Sequence, residues 1–156
     1  KKTLNTTGLT LTMDQAFIDV MTACAAPRKK ANGEVEDGTW IHPDMIDAYS
    51  TLHQQGIAHS IECWHEEKLV GGLYGVAIGQ IFFGESMFST VTDASKVAFE
   101  YLASRLNKSG FELIDCQVPN DHLSSMGSTE ISRSDFQCYL DNYLDIAPTS
   151  NPWNND

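Results

Sequence analysis

The sequence predicts an α+β domain in which a mixed, mostly antiparallel β-sheet is flanked by helices. Residues 69–88 show two apolar strand patterns around a Gly-Gln pair at 79–80, where a hairpin turn belongs. A strand pattern at 58–64 precedes this hairpin, so three antiparallel strands follow one another. A long helical pattern at 93–106 then leads to a strand at 111–117. Because the chain returns through a helix, we expect this strand to run parallel to its predecessor.

The remaining elements of the N-terminal half are shorter. A strand pattern at 9–12 precedes a helix that Thr12 or Asp14 is placed to cap. A polar, Gly-containing stretch at 29–37 predicts a mobile loop. A second helix begins near Pro43, because proline is favoured at the first helical position.

The C-terminal part continues the alternation of short elements. The patterns predict a short helix at 120–126, a strand piece at 129–131 and an amphipathic helix at 136–144. We expect the domain to occupy residues 1–147 and the polar stretch 148–156 to be a flexible tail.

The composition restricts the class of protein. With 156 residues, 42% of them hydrophobic, and no run of eighteen apolar residues, the chain predicts one soluble domain. The net charge of -11 argues against a broad phosphate-binding surface. The four cysteines lack paired spacing and no signal peptide precedes them, which predicts reduced thiols in the cytoplasm.

No metal site is expected. His59, Cys63 and His65 share strand parity, but a structural zinc site wants four ligands and no fourth has suitable spacing.

The second hairpin strand carries a carboxylate, Glu85, among aromatic and thioether side chains. Strict alternation puts Phe83, Glu85 and Met87 on one face and Phe82 on the other, unless Gly84 introduces a bulge that resets the phase. Glycines inside the hairpin strands predict a backbone kept bare for a close neighbour. Two interpretations of Glu85 stay open: it lies in a cleft, or it points to water.

A second polar pair lies on the strand at 111–117. Asp115 and Gln117 are two apart, so alternation puts both on one face and Cys116 on the other. If this strand lies beside Glu85, the three groups meet in one cleft suited to holding an amine and positioning its protons. The alternative is that Asp115 simply hydrogen-bonds a loop. Cys116 has only an acid beside it, which indicates an inert thiol.

Several motifs carry a resemblance over most of the chain. They are Gly-Thr-Trp-Ile at 38–41, Leu-Val-Gly-Gly-Leu-Tyr-Gly at 69–75, Gly-Glu-Ser-Met-Phe-Ser at 84–89 and Ile-Asp-Cys-Gln at 114–117, with Asn120, His122 and Gly127. Together they resemble the leucyl/phenylalanyl-tRNA–protein transferases. The resemblance implies the N-acetyltransferase-like (GNAT) fold of that family's catalytic domain.

The resemblance also implies a reaction and its site. Leu or Phe would pass from an aminoacyl-tRNA to the α-amine of a protein with N-terminal Arg or Lys, which tags that protein for degradation. Asp115 and Gln117 would hold and deprotonate the amine, and Glu85 would hold the basic N-terminal residue. Trp40 and Tyr49 would pack around the tRNA 3'-adenosine, and no cofactor is implied. The pocket for the transferred side chain would be apolar, formed by Leu73, Phe82, Met87, Val97, Phe99, Leu102 and Ile114.

Two departures from the family pattern accompany these matches. The family's N-terminal domain, with its Gly-x-Phe-Pro-Trp type motif, is absent from the sequence, and Thr90 stands where the family commonly has Arg. The second change removes a positive charge near the expected RNA path.

Two other functions compete. A binding module for basic N-termini would use the same acidic cleft without catalysis. An acyl-CoA N-acetyltransferase would share the fold but needs a glycine-rich pyrophosphate loop, and residues 89–94 contain no glycine.

Overall fold

The computed structural model describes residues 8–26, 28–29, 35–36, 43–117 and 121–154. Its strands and helices follow the predicted order closely. The elements of the described chain are β1 (Leu9–Met13), α1 (Phe17–Ala25), β2 (Arg28–Lys29), β3 (Val35–Glu36), α2 (Pro43–Gln54), β4 (Ala58–His65), β5 (Lys68–Ile78), β6 (Ile81–Ser89), α3 (Ala94–Lys108), β7 (Leu113–Asp115), α4 (Asp121–Ser125) and α5 (Arg133–Tyr143).

The main sheet has the order β1-β4-β5-β6-β7. The first three pairings are antiparallel and the last, between β6 and β7, is parallel. The mixed sheet and its parallel return through α3 are therefore confirmed. Two smaller predictions are wrong: β2 and β3 pair where only a loop was expected, and residues 129–131 form no strand within the described chain.

The core consists of one apolar layer on each face of the sheet. Successive residues of a strand point to opposite faces, so Leu73 joins the layer beneath α3 while Tyr74 joins the layer beneath α1 and α2. β5, in the middle of the sheet, therefore contributes side chains to both layers.

The glycines of β5 allow two close approaches. A Cβ on Gly71 would lie 2.6 Å from the Cβ of Ala94 at the start of α3, and a Cβ on Gly75 would lie 2.7 Å from the ring of Phe82. The neighbours predicted from these glycines are thus a helix start and an aromatic ring of the protein itself.

The start of α1 is held by Glu62 rather than by the predicted caps. Glu62 is fully buried on β4. Its carboxylate accepts hydrogen bonds from the hydroxyls of Thr12 and Ser60, both at 2.5 Å, and from the backbone N–H of Ala16 at 3.2 Å. A carboxylate from a neighbouring strand therefore replaces a local cap, because it reaches both β1 and the residue before the helix.

Residues of the predicted tail, up to residue 154, contact the core. The indole of Trp153 stacks on the ring of His59, with 3.8 Å between centroids and 3° between planes. Arg105 donates from Nη2 to the backbone oxygen of Pro152 at 2.9 Å. The aromatic side chain gives residues 148–154 enough apolar area to bind the core, which outweighs their polar composition.

His59 is a core histidine. Its Nδ1 lies 2.8 Å from Asp14 and its Nε2 lies 2.9 Å from the backbone oxygen of Gly56.

The described residues contain no group of three or more His, Cys, Asp or Glu side chains suited to a metal ion. Among the described helices, none has the length and apolar character that crossing a bilayer requires.

Candidate active site

A β-bulge in β6 shapes the site. Tyr74 lies opposite Ser86 and Gly75 opposite Gly84, so Glu85 has no residue opposite it on β5. The bulge predicted at Gly84 is confirmed. The extra residue resets the alternation, so Phe82 and Met87 line one cavity although their sequence parity differs.

This cavity, here called the apolar cavity, has a volume of about 410 Å³. Glu85 lines it, together with six of the seven residues predicted for the transferred side chain. Such a volume lies within the range of about 300–1,000 Å³ that is usual for small-ligand sites. The predicted residues in its wall are Leu73, Phe82, Met87, Phe99, Leu102 and Ile114.

Val97 is the predicted pocket residue that does not line the apolar cavity. It is buried on α3, two positions before Phe99. Side chains two apart on a helix point to different faces, whereas Phe99 and Leu102, three apart, share one. Helix geometry therefore separates Val97 from the other two.

Asp115 and Gln117 are linked by a hydrogen bond, and Gln117 lies beyond the end of the strand. β7 ends at Asp115, and Gln117 has a left-handed backbone with φ +66°. The backbone N–H of Gln117 donates to Oδ1 of Asp115 at 2.8 Å. Its side-chain amide donates to the backbone oxygen of Gly84 at 2.7 Å, which connects the pair to the bulge. Gln117 therefore lies beyond the strand on which the sequence pattern had placed it.

A second, larger cavity contains this pair. The edge groove, as we call it, has a volume of about 760 Å³ and lies between β7 with the residues after it and the chain at 123–139. It shares Phe99, Ile114, Cys116 and Leu123 with the apolar cavity. Glu85 and the Asp115–Gln117 pair thus line two adjoining cavities, not the single cleft that was expected.

Two tyrosines lie near Glu85. Burial, then the charge of Glu85 and a hydrogen bond to it, raise the pKa of Tyr49. Tyr74 is 1% exposed, and its hydroxyl has no hydrogen-bond partner in the described part of the chain. Burial raises the pKa of Tyr74, so the group stays protonated. Trp40, the other residue predicted for the adenosine, lies outside the described residues.

The cavity walls hold two further titratable groups. Burial, then the neighbouring Asp115 charge, raises the pKa of the Cys116 thiol, which keeps it protonated at neutral pH as expected of an inert thiol. Burial, then Lys96, lowers the pKa of His122, against an opposing effect of Asp93. Both side chains are therefore uncharged near pH 7.

Residues of α4 and its surroundings were missed as cavity lining. His122 and Leu123 line the apolar cavity. His122 belonged to the motif that carried the resemblance, but sequence patterns gave no position for a helix of five residues relative to the sheet. The prediction also missed four further lining residues, because the bulge in β6 changes which side chains face the cavity: Tyr74, Gly84, Ser86 and Cys116.

Solved structures with a similar fold include acetyltransferases. An aminoglycoside acetyltransferase from an uncultured soil metagenomic sample, in complex with trehalose, matches 81% of this chain and 91% of its own, with a TM-score of 0.59 and 15% identity. A ribosomal-protein-alanine N-acetyltransferase from Brucella melitensis biovar Abortus 2308 matches 80% and 94%, with a TM-score of 0.56 and 12% identity. At these identities the likeness confirms the GNAT fold alone.

Sequence relatives are far more similar. A leucyl/phenylalanyl-tRNA–protein transferase of Nitrosomonas eutropha is 54% identical over 99% of this chain and 64% of its own length. One of Pseudomonas fluorescens is 53% identical over 97% and 65%. The chain therefore spans somewhat less than two thirds of these relatives. The family model for leucyl/phenylalanyl-tRNA protein transferases matches residues 1–141. The chain belongs to the leucyl/phenylalanyl-tRNA–protein transferase family.

Proposed function

We propose that the protein transfers Leu or Phe from an aminoacyl-tRNA to the α-amine of a protein that begins with Arg or Lys. Family membership supports the reaction type. The observation that carries the proposal is the adjoining pair of cavities, one lined by most of the predicted apolar pocket residues and the other by Asp115 and Gln117. An apolar side chain and a peptide amine can be held there at the same time.

The reaction is aminolysis of an ester. The amine nitrogen attacks the ester carbonyl carbon and loses a proton, the carbon–oxygen bond to the ribose breaks, and the ribose oxygen takes up a proton and leaves as a hydroxyl. An α-amine has a pKa of about 7.7–8.0, so a useful fraction is neutral and modest proton transfer suffices. In the described part of the chain Oδ2 of Asp115 has no partner, and it is our candidate for receiving the amine's proton.

Gln117 acts through position. Its amide is already bonded to Gly84, and this contact holds the turn after β7 against β6. Glu85, half-buried beside Tyr49, supplies the negative charge for the guanidinium or ammonium of the acceptor's first residue. The overall charge of -11 favours encounter with a basic N-terminus. We place the reaction in the cytoplasm, where charged tRNA is available.

The acyl-CoA alternative meets an obstacle at the start of α3. The backbone N–H groups that would bind a pyrophosphate are already used: Ala94 donates to the backbone oxygen of Val91 at 3.2 Å, and Ser95 donates to the hydroxyl of Ser89 at 3.3 Å. A phosphate group would have to displace these bonds without a glycine to let it approach.

The test is a transfer assay. The protein is incubated with Phe-charged tRNA and an Arg-starting peptide, and the Phe-peptide is measured by mass spectrometry. We expect product, and about 100- to 10,000-fold less of it per unit time with Asp115→Asn, because that change removes the proton acceptor. Binding of the peptide without any product would support the binding module instead, and product with acetyl-CoA as donor would support the acetyltransferase.

A further inference from the structure

We propose that the edge groove binds residues 2 to 4 of the acceptor polypeptide as an extended strand that runs antiparallel to β7. This inference rests on the proposed function, since the acceptor's amine must reach Asp115. It adds a binding site for the part of the acceptor beyond its first residue.

The first support is the open edge of the sheet. β7 is the last strand in the order, and no described strand pairs with its outer side. Glu112 donates its backbone N–H to Gln80, towards β6. Because alternate residues of a strand direct their backbone groups to opposite sides, Leu113 and Asp115 direct theirs away from β6. Both residues line the edge groove, and no described residue outside β6 forms a backbone hydrogen bond with them.

The second support is the segment across the groove. Thr129, Glu130 and Ile131 line it, and within the described chain their backbone groups make no backbone hydrogen bond. Neighbouring residues are already engaged: Ser128 donates to Leu123, and Phe136 donates to Ser132. Among the described residues, the groove therefore has two walls whose outward peptide groups make no backbone hydrogen bond, and an added strand would satisfy either of them.

The third support is that the dimensions and lining of the groove fit an extended peptide. An extended chain advances about 3.3 Å per residue, so an acceptor whose amine lies at Asp115 places its third residue near Leu113. The volume of about 760 Å³ exceeds that of the apolar cavity, as a peptide segment requires. The lining contains the carboxylates of Asp115 and Glu130 and one guanidinium, that of Arg133. Phe136 and Tyr139 provide apolar surface for alternate side chains.

Peptide length gives the direct test. Binding of Arg-starting peptide amides of two, three, four and six residues to the 156-residue chain is measured by calorimetry without tRNA. We expect affinity to rise about tenfold from two to four residues and then to level off, as one or two backbone hydrogen bonds would cause. N-methylation of one backbone nitrogen among residues 2 to 4 should remove the gain, because it blocks a strand hydrogen bond.

A matched pair of variants locates the effect. Ile131 is 43% exposed in the groove wall, and Ile146 is 48% exposed outside it. Ile131→Asp should abolish the gain from peptide length, whereas Ile146→Asp should preserve it. A length gain that survives both methylation at every position and Ile131→Asp overturns the proposal.

The remaining outcomes separate this inference from the proposed function. Affinity that does not depend on length, or no peptide binding at all, overturns the groove. If Phe is nevertheless transferred to a dipeptide, the proposed function survives. If long peptides bind better but no Phe is transferred, the groove is supported and the transfer reaction is not.

Discussion

Glu62 and Glu85 lie on strands of one sheet and show opposite uses of the same side chain. Glu62 is fully buried, and hydroxyl and backbone donors satisfy its oxygens. Glu85 is half-buried in a bulge, beside a tyrosine and an apolar cavity. A carboxylate whose acceptor capacity is used within the fold stabilises the fold, whereas one that faces a cavity with capacity to spare is available to a ligand.

The largest expected effect is a loss of folding stability when Glu62 is replaced. Glu62→Leu removes the acceptor of the buried Ser60 hydroxyl and of two partly buried donors, the hydroxyl of Thr12 and the N–H of Ala16. We expect the free energy of unfolding to fall by about 3 kcal/mol or more. Urea denaturation followed by circular dichroism measures it. Glu62→Gln, which keeps an acceptor oxygen, should lose less; equal losses would mean that shape, not hydrogen bonding, is what matters.

The next effect concerns Glu85 and should appear in binding instead of folding. Glu85→Gln keeps the size of the side chain but removes its charge. We expect affinity for an Arg-starting peptide to fall about ten- to a hundredfold, as for a lost charged hydrogen bond. The unfolding free energy should stay within about 1 kcal/mol.

A peptide that starts with a neutral residue serves as the control for this change. Its weak binding should not depend on residue 85. If both peptides lose affinity equally, Glu85 supports the site's shape and the comparison with Glu62 fails.

A smaller effect is expected at Tyr49. Tyr49→Phe removes the hydroxyl that donates to Glu85 and keeps the ring that lies 5.8 Å from that of Tyr74. We expect less than about a tenfold loss of affinity for the Arg-starting peptide, the usual size for one neutral hydrogen-bond donor. In the Glu85→Gln background the same change should have little further effect; full additivity would show that Tyr49 acts independently of Glu85.

The smallest effect concerns pH. The pKa of His122 is lowered by burial and by Lys96, so the unfolded chain takes up this proton first as the pH falls. Stability contributed by the neutral imidazole is present above about pH 6.5 and is lost as the pH decreases below it. His122→Gln should therefore flatten the dependence of the unfolding midpoint on pH between pH 5 and about 7. An unchanged slope would assign the dependence to other groups.

Most of the fold follows from local patterns. The hairpin at β5 and β6, the crossover through α3 and the parallel return of β7 need only strand alternation, turn residues and helix periodicity. The docked tail could not be foreseen in this way, because Trp153 and His59 are far apart in sequence and no periodic pattern joins them. The contact between Glu62 and the start of α1 could not be foreseen for the same reason.

Six of the residues that line the apolar cavity could be named from the sequence, whereas their arrangement could not. Residues of the apolar cavity came from the family resemblance, and the bulge at Gly84 was required to bring Phe82 and Met87 together. The path of the chain after Asp115 depends on the left-handed conformation of Gln117, which strand alternation excludes. The division into two cavities also depends on α4, whose place is fixed by tertiary contacts alone.

The stacked indole of the tail links distant parts of the domain. Trp153 touches His59 on β4, Phe82 on β6 and Phe111 before β7, and Phe82 is also a wall of the apolar cavity. A protein shortened at residue 147, where sequence composition puts the domain border, would lose this brace from beneath the cavity. A fusion partner joined after residue 154 thus needs a spacer, since tension on Trp153 would reach the ring of Phe82 in the wall of the apolar cavity.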